Sequence, residues 1–125
     1  MLSAMKTVRW IFLIAGIYGV LALIPVIFAE LYGPPVQAPE FYYGFAFLAL
    51  VFQFIFLAIA RDPARLRVLI PICILEKLAF FGPAIVLYAT GRLQMGGPFI
   101  GGLIDGVLML LFTFAWFKSR AEAPA

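Results

Sequence analysis

The chain has 125 residues, of which 66% are hydrophobic and 12% charged, with no histidine and one cysteine. A soluble domain carries about 25% charged residues, so this composition excludes an ordinary water-soluble fold and leaves no room for a soluble domain beside the apolar segments. An internal disulfide, a Cys/His metal motif and an axial haem histidine are likewise excluded, and the formal charge of +3 is not gathered into a nucleic-acid patch.

Four apolar runs follow in chain order, about 10–31, 41–60, 66–90 and 99–117. Each is long enough to cross a hydrocarbon core of about 30 Å at about 1.5 Å per residue. Lys6 and Arg9 precede the first run as they would precede a signal peptide, but the run is too long for a cleaved segment and Ile27-Phe28-Ala29 is a poor cleavage site. It is read as a retained helix. Gly33-Pro34-Pro35 and Ala38-Pro39 separate the first two helices. At Arg61-Asp62-Pro63, Asp62 is expected to cap the third helix and Pro63 to occupy its first position. Residues 91–98 connect the last two helices, and the tail 121–125 is expected to fray. The expected fold is all-α: a single four-helix transmembrane bundle.

Orientation follows from the basic residues. Lys6, Arg9, Arg61, Arg65, Arg67, Lys118 and Arg120 fall on one side of this topology, and Arg92 on the other with Glu30 and Glu40. The positive-inside rule then places both termini in the cytoplasm. Trp10 and Trp116 would mark the inner interface, with Tyr32, Tyr42, Tyr43 and Tyr88 toward the outer one.

Glu76 and Lys77 stand together inside the third apolar run. Ionisable groups at bilayer depth are costly and face protein or a water-filled cavity. By helix rise they lie roughly 15 Å from one face, and Asp105 lies roughly 10 Å from the other, so a lysine stem can bridge the difference. Gln53 and Tyr18 fall near the same level. Glu76, Lys77, Asp105, Gln53 and Tyr18 are therefore expected to form a buried polar layer to which every helix contributes. Neighbours on a helix diverge by about 100°, leaving Glu76 and Lys77 free to face different helices.

Phase supports burial. Gly97, Gly101 and Asp105 recur every four residues, and Gly102 and Gly106 form an adjoining strip. These GxxxG spacings let helices approach closely, within the bundle or across a homodimer. Tyr18 is placed on the strip of Ala15, Gly19 and Ala22, and Gln53 on that of Ala46 and Ala49. Pro71 and Pro83 should each free a carbonyl one turn earlier. Cys73 is expected to be an inert core residue.

If all were ionised, Glu76, Lys77 and Asp105 would carry a net charge of −1. An apolar setting disfavours that state, so the layer is expected to hold a proton, a cation or a small amphiphile. The structural alternative is a Lys–carboxylate pair that only fixes helix packing. The functional classes left open are a binding protein or accessory subunit of a larger membrane complex, a membrane enzyme on a lipid-like substrate with Glu76 or Asp105 as acid/base, and a small proton-coupled transporter. Catalytic residues stay unassigned, no metal or cofactor is expected, and membrane lipids are the expected partners.

The Pro-rich loop leading into Pro39-Glu40-Phe41-Tyr42-Tyr43-Gly44-Phe45, the Arg61-Asp62-Pro63 turn and Leu75-Glu76-Lys77-Leu78 resemble a group of small bacterial membrane proteins, similar in general shape to the DoxX-like and BphX-like families. The resemblance implies a four-helix bundle in a bacterial cytoplasmic membrane, and it carries over no catalytic residue. Small multidrug exporters share the size, but they use a glutamate within the first helix, and here that helix has no acidic residue before Glu30.

Overall fold

The computed structural model describes residues 2–120, so the tail at 121–125, expected to fray, lies outside them. The described residues form four long helices and no strand: α1 (Leu2–Ile27), α2 (Pro39–Arg61), α3 (Ile70–Ala89) and α4 (Gly97–Lys118). All four are long and apolar enough to cross a membrane, the pattern of a multi-pass membrane protein. Large side chains point outward on every helix, among them Leu21 of α1, Leu48 of α2, Leu75 of α3 and Leu110 of α4. In water such a surface would aggregate; in a bilayer it is the lipid face.

The helix limits differ from the apolar runs for local reasons. α1 begins eight residues before Trp10, because no breaker interrupts Leu2 to Arg9 and hydrophobicity does not limit a helix that protrudes from the apolar layer. It ends at Ile27, and a 3₁₀ turn follows at Ala29–Leu31. Asp62 does not cap α3. Its N–H bonds to the carbonyl of Ala58 at the end of α2, and the chain then turns through Leu66 and a 3₁₀ segment, Arg67–Leu69. Pro63 lies in this turn, and Pro71 instead takes the first turn of α3. There a missing N–H breaks no bond, so Pro71 does not disturb the helix as an interior proline would. Pro83 does lie inside α3.

Packing joins α1 closely to α2 and α3 closely to α4, making two hairpins, and the hairpins meet through a narrower α1–α4 contact. Their common core is Val8, Phe12 and Ala15 of α1, Phe56, Ile59 and Ala60 of α2, Ile70 and Cys73 of α3, and Phe112 and Ala115 of α4. Every one of these lies in the half of the bundle that carries the termini. Phe12 stacks on Phe112 at 4.4 Å between ring centroids, and Phe56 meets Phe112 edge-on at 5.0 Å. In the other half the close contacts are mostly within a hairpin: Ala84 against Gly102, Phe81 against Gly106, Tyr88 stacked on Phe99, and Gln53 against Gly19. Phe45 stacked on Phe80 bridges α2 to α3 there.

Arg67 fastens the terminal half. Its guanidinium donates to the carbonyl of Trp116 at 2.7 Å and to Ser119 Oγ at 2.9 Å, and lies 3.6 Å from the centre of the Trp116 ring. A cation thus satisfies an end carbonyl of α4 where the helix dipole favours it. The opposite end is held by tyrosines. The Tyr42 hydroxyl donates to the Val26 carbonyl at 2.7 Å, the Tyr43 hydroxyl donates to Glu30, and the Val36 N–H donates to the same carboxylate at 2.8 Å.

The GxxxG strips separate into two kinds. A Cβ on Gly102 would lie 2.6 Å from the Cβ of Ala84, and one on Gly106 would lie 2.6 Å from the Phe81 ring. A Cβ on Gly97 or Gly101 would meet nothing within 4 Å, so these two do not pack helices within the chain. The spacing could not separate the two strips, since they are offset by only one residue. Close approach of α1 to α2 instead uses Gly16 and Gly19, where a Cβ would strike Leu57 and the Gln53 amide respectively. Gly19→Ala or Gly106→Ala should therefore destabilise the bundle by about 1–3 kcal/mol through overpacking. Gly101→Ala should be neutral or stabilising, by up to about 1 kcal/mol; unfolding in mixed micelles at graded SDS content measures both.

The tyrosine strap has a pH signature. The Tyr43 hydrogen bond, and then that of Val36, hold the Glu30 carboxyl below its ordinary value of 4.5. A folded-state value below the unfolded one contributes stability above the unfolded value, which is lost as pH falls through the folded value. Wild-type thermal stability should thus lose this contribution as pH drops below about 4.5, and Glu30→Gln and Tyr43→Phe should each flatten that limb of the curve while leaving neutral-pH helicity intact.

Candidate functional site

The half of the bundle that carries the common core ends in charge. Lys77 lies one turn beyond Cys73 on the inward face of α3, and its side chain is 6% exposed. Its ammonium stands 5.0 Å from the centre of the Phe56 ring, so the aromatic cluster forms the floor beneath it and adds a cation–π attraction. From α4, Asp105 reaches Lys77 Nζ at 3.3 Å, in hydrogen-bond geometry. From its own helix, Glu76 Oε2 approaches the same nitrogen at 3.5 Å. That second contact is an ion pair without hydrogen-bond alignment, and Glu76 Oε2 is buried with no hydrogen-bond partner. The two neighbours thus converge although their Cβ directions diverge, because both stems bend toward one point. The carboxylates are the accessible side of the cluster, with side chains 17% exposed at Glu76 and 21% at Asp105.

Three of the five residues expected in a polar layer therefore meet. Gln53 is buried at 3% exposure but belongs to the α1–α2 interface, one turn of α2 from Phe56. Its Nε2 donates to the Ala49 carbonyl at 2.8 Å, while Oε1 has no hydrogen-bond partner and sits where a side chain at Gly19 would begin. A Cα–H of Gly19 facing that oxygen supplies a weak contact. Tyr18 is 39% exposed, at the edge rather than in the layer. The buried strip of α1 runs through Phe12, Ala15, Gly16, Gly19 and Leu23, so Tyr18 and Ala22 fall off it. Tyr18 still lies within electrostatic reach of Asp105. Cys73 is buried in the common core.

The packed strip read from the sequence contains Gly19 but not Gly16, and the sequence pattern does not mark Phe56 as the platform for Lys77 or the Arg67–Trp116–Ser119 latch. The three-residue spacing of Gly16 and Gly19 was a usable signal. Nothing local marks Phe56 among 14 phenylalanines.

Among the described residues no group of three His, Cys, Asp or Glu is placed to hold a metal. Two open grooves lie away from the cluster. One of about 410 Å³ runs between α1 and α4 beside Trp10, Ile14 and Leu111, and one of about 250 Å³ between α1 and α2 beside Leu13 and Leu57. No protein-family model, curated protein or solved structure matches the chain.

Lys77 pairs with two carboxylates from a nearly sealed position. Lys77→Met should accordingly cost about 3–5 kcal/mol, the penalty for leaving buried charge unpaired. Adding Glu76→Gln and Asp105→Asn in the same background should recover a substantial part of the loss. SDS titration of the three proteins reads the difference.

Proposed function

We propose that this chain is a small multi-pass protein of a bacterial cytoplasmic membrane, both termini cytoplasmic, whose midplane cluster binds a single positive charge: a proton, or the cationic head of a small amphiphile. The observation that carries this reading is the sharing of one lysine by two carboxylates, with Glu76 Oε2 left without a hydrogen bond. One lysine balances one carboxylate, so a unit of negative charge is uncompensated in a setting where uncompensated charge is expensive. The carboxylates, rather than the lysine, form the accessible side. Gly97 and Gly101 leave open space along the strip of α4 that leads to Asp105. A cation approaching along that strip meets oxygen before it meets Lys77.

The proposed orientation rests on the seven basic residues at one end of the bundle. The enzyme and transporter readings call for a deep cavity lined by both carboxylates, and neither of the two open grooves is lined by Glu76 or Asp105. The accessory-subunit reading draws support from the tight packing of Lys77 and from the lipid-facing surface left unpartnered around it.

Infrared difference spectroscopy of the reconstituted protein tests the binding reading. A protonated-carboxyl stretch should be present at neutral pH, vanish or shift in one of Glu76→Gln and Asp105→Asn, and diminish when dodecyltrimethylammonium is added. Full ionisation of both carboxyls at neutral pH, together with no response to the amphiphile, would reduce the cluster to a packing device.

A further inference from the structure

A separate feature lies at the end of the bundle that carries the termini. Of the basic residues there, Arg67 is engaged by Trp116 and Ser119. Arg9 of α1 and Arg61 of α2 are exposed, and their side chains make no hydrogen bond or ion pair with the described residues. Both line one groove of about 250 Å³, whose remaining walls are Leu13, Leu57 and Ala60. Leu13 follows Arg9 by four residues and Leu57 precedes Arg61 by four, so on antiparallel helices both leucines lie about 6 Å deeper toward the midplane than the arginines. The groove is therefore cationic at its mouth and apolar along its floor, graded along the membrane normal.

Two like charges facing one groove repel each other, and an anion between them relieves that repulsion. Guanidinium groups match phosphate oxygens in bidentate geometry. The apolar floor begins where the charge ends, which suits a phosphate that carries a hydrocarbon chain.

We infer that the groove between α1 and α2 is a specific binding site for one anionic phospholipid, its phosphate held by Arg9 and Arg61 and an acyl chain laid over Leu13, Leu57 and Ala60. The site is independent of the cluster at Lys77. A lipid bound there clamps the first hairpin from outside, beside the interface that Gly16 and Gly19 close from within.

Native mass spectrometry of the full chain, released from micelles containing equal dioleoylphosphatidylglycerol and dioleoylphosphatidylcholine, tests the assignment. One phosphatidylglycerol should be retained in preference to phosphatidylcholine. Arg9→Gln and Arg61→Gln should each weaken retention about fivefold, the effect of about 1 kcal/mol per basic residue near an anionic headgroup. Arg65→Gln, on the exposed turn outside the groove, should change nothing, and inorganic phosphate should not displace the lipid. Equal retention of both lipids, an equal loss on Arg65→Gln, or displacement by inorganic phosphate would overturn the site. Single substitutions of exposed, unbonded arginines leave the helices intact, which circular dichroism verifies, so the reading does not depend on a double variant folding.

Discussion

The rest of the structure is organised around one buried ammonium. Lys77 can occupy the middle of an apolar bundle only because Asp105 comes from α4, Glu76 turns in from its own helix, and Phe56 lies beneath it. A central charge costs about 2.5–3.5 kcal/mol to insert, while a central Leu, Ile or Phe returns about 0.3–0.6 kcal/mol. Helix α3 with two such charges is therefore a poor independent span, and its residence in the membrane depends on α4 being alongside. The close packing of Gly102 and Gly106 against Ala84 and Phe81 brings α4 near enough for Asp105 to reach Lys77. Helix contact and charge neutralisation are thus one event.

The same constraint accounts for the uneven packing of the two halves. Below the cluster, the four helices share one aromatic and aliphatic core, and Arg67 fastens the turn before α3 to the end of α4. Above it, packing is chiefly within each hairpin, and Gly97 and Gly101 face open space. The charged layer lies where the core common to all four helices ends. There Asp105 and Glu76 keep an accessible edge while Lys77 does not. The tyrosine strap from Glu30, Tyr42 and Tyr43 ties the end of α1 and the loop after it back to α2.

Polar groups in this chain serve distinct ends according to what surrounds them. Gln53 is as buried as Lys77, yet its amide is spent on its own helix and on the close approach of Gly19. Arg67 serves a helix end, whereas Arg9 and Arg61 line a groove without internal partners. Residue type and depth alone assign the same character to each of these pairs. Their neighbours distinguish them.

The sequence by itself determined the four apolar spans, the charge asymmetry between the two ends, and the depth at which Glu76, Lys77 and Asp105 lie. All three follow from one-dimensional quantities: length at a fixed rise per residue, and the position of charges along it. It also placed Asp105 within reach of Lys77, since depth is additive along a helix. Tertiary structure alone decided the rotation of each helix, and with it the outward turn of Tyr18, the removal of Gln53 to the α1–α2 interface, and the division of the glycine strips. Rotation is set by contact between surfaces, and adjacent strips differ by only about 100°, which a pattern of small residues on one helix does not resolve. The turn at 62–69 departs from the sequence pattern for a related reason. Asp-Pro is a valid helix start locally, but the chain there is still finishing α2, and Pro71 rather than Pro63 marks where α3 begins.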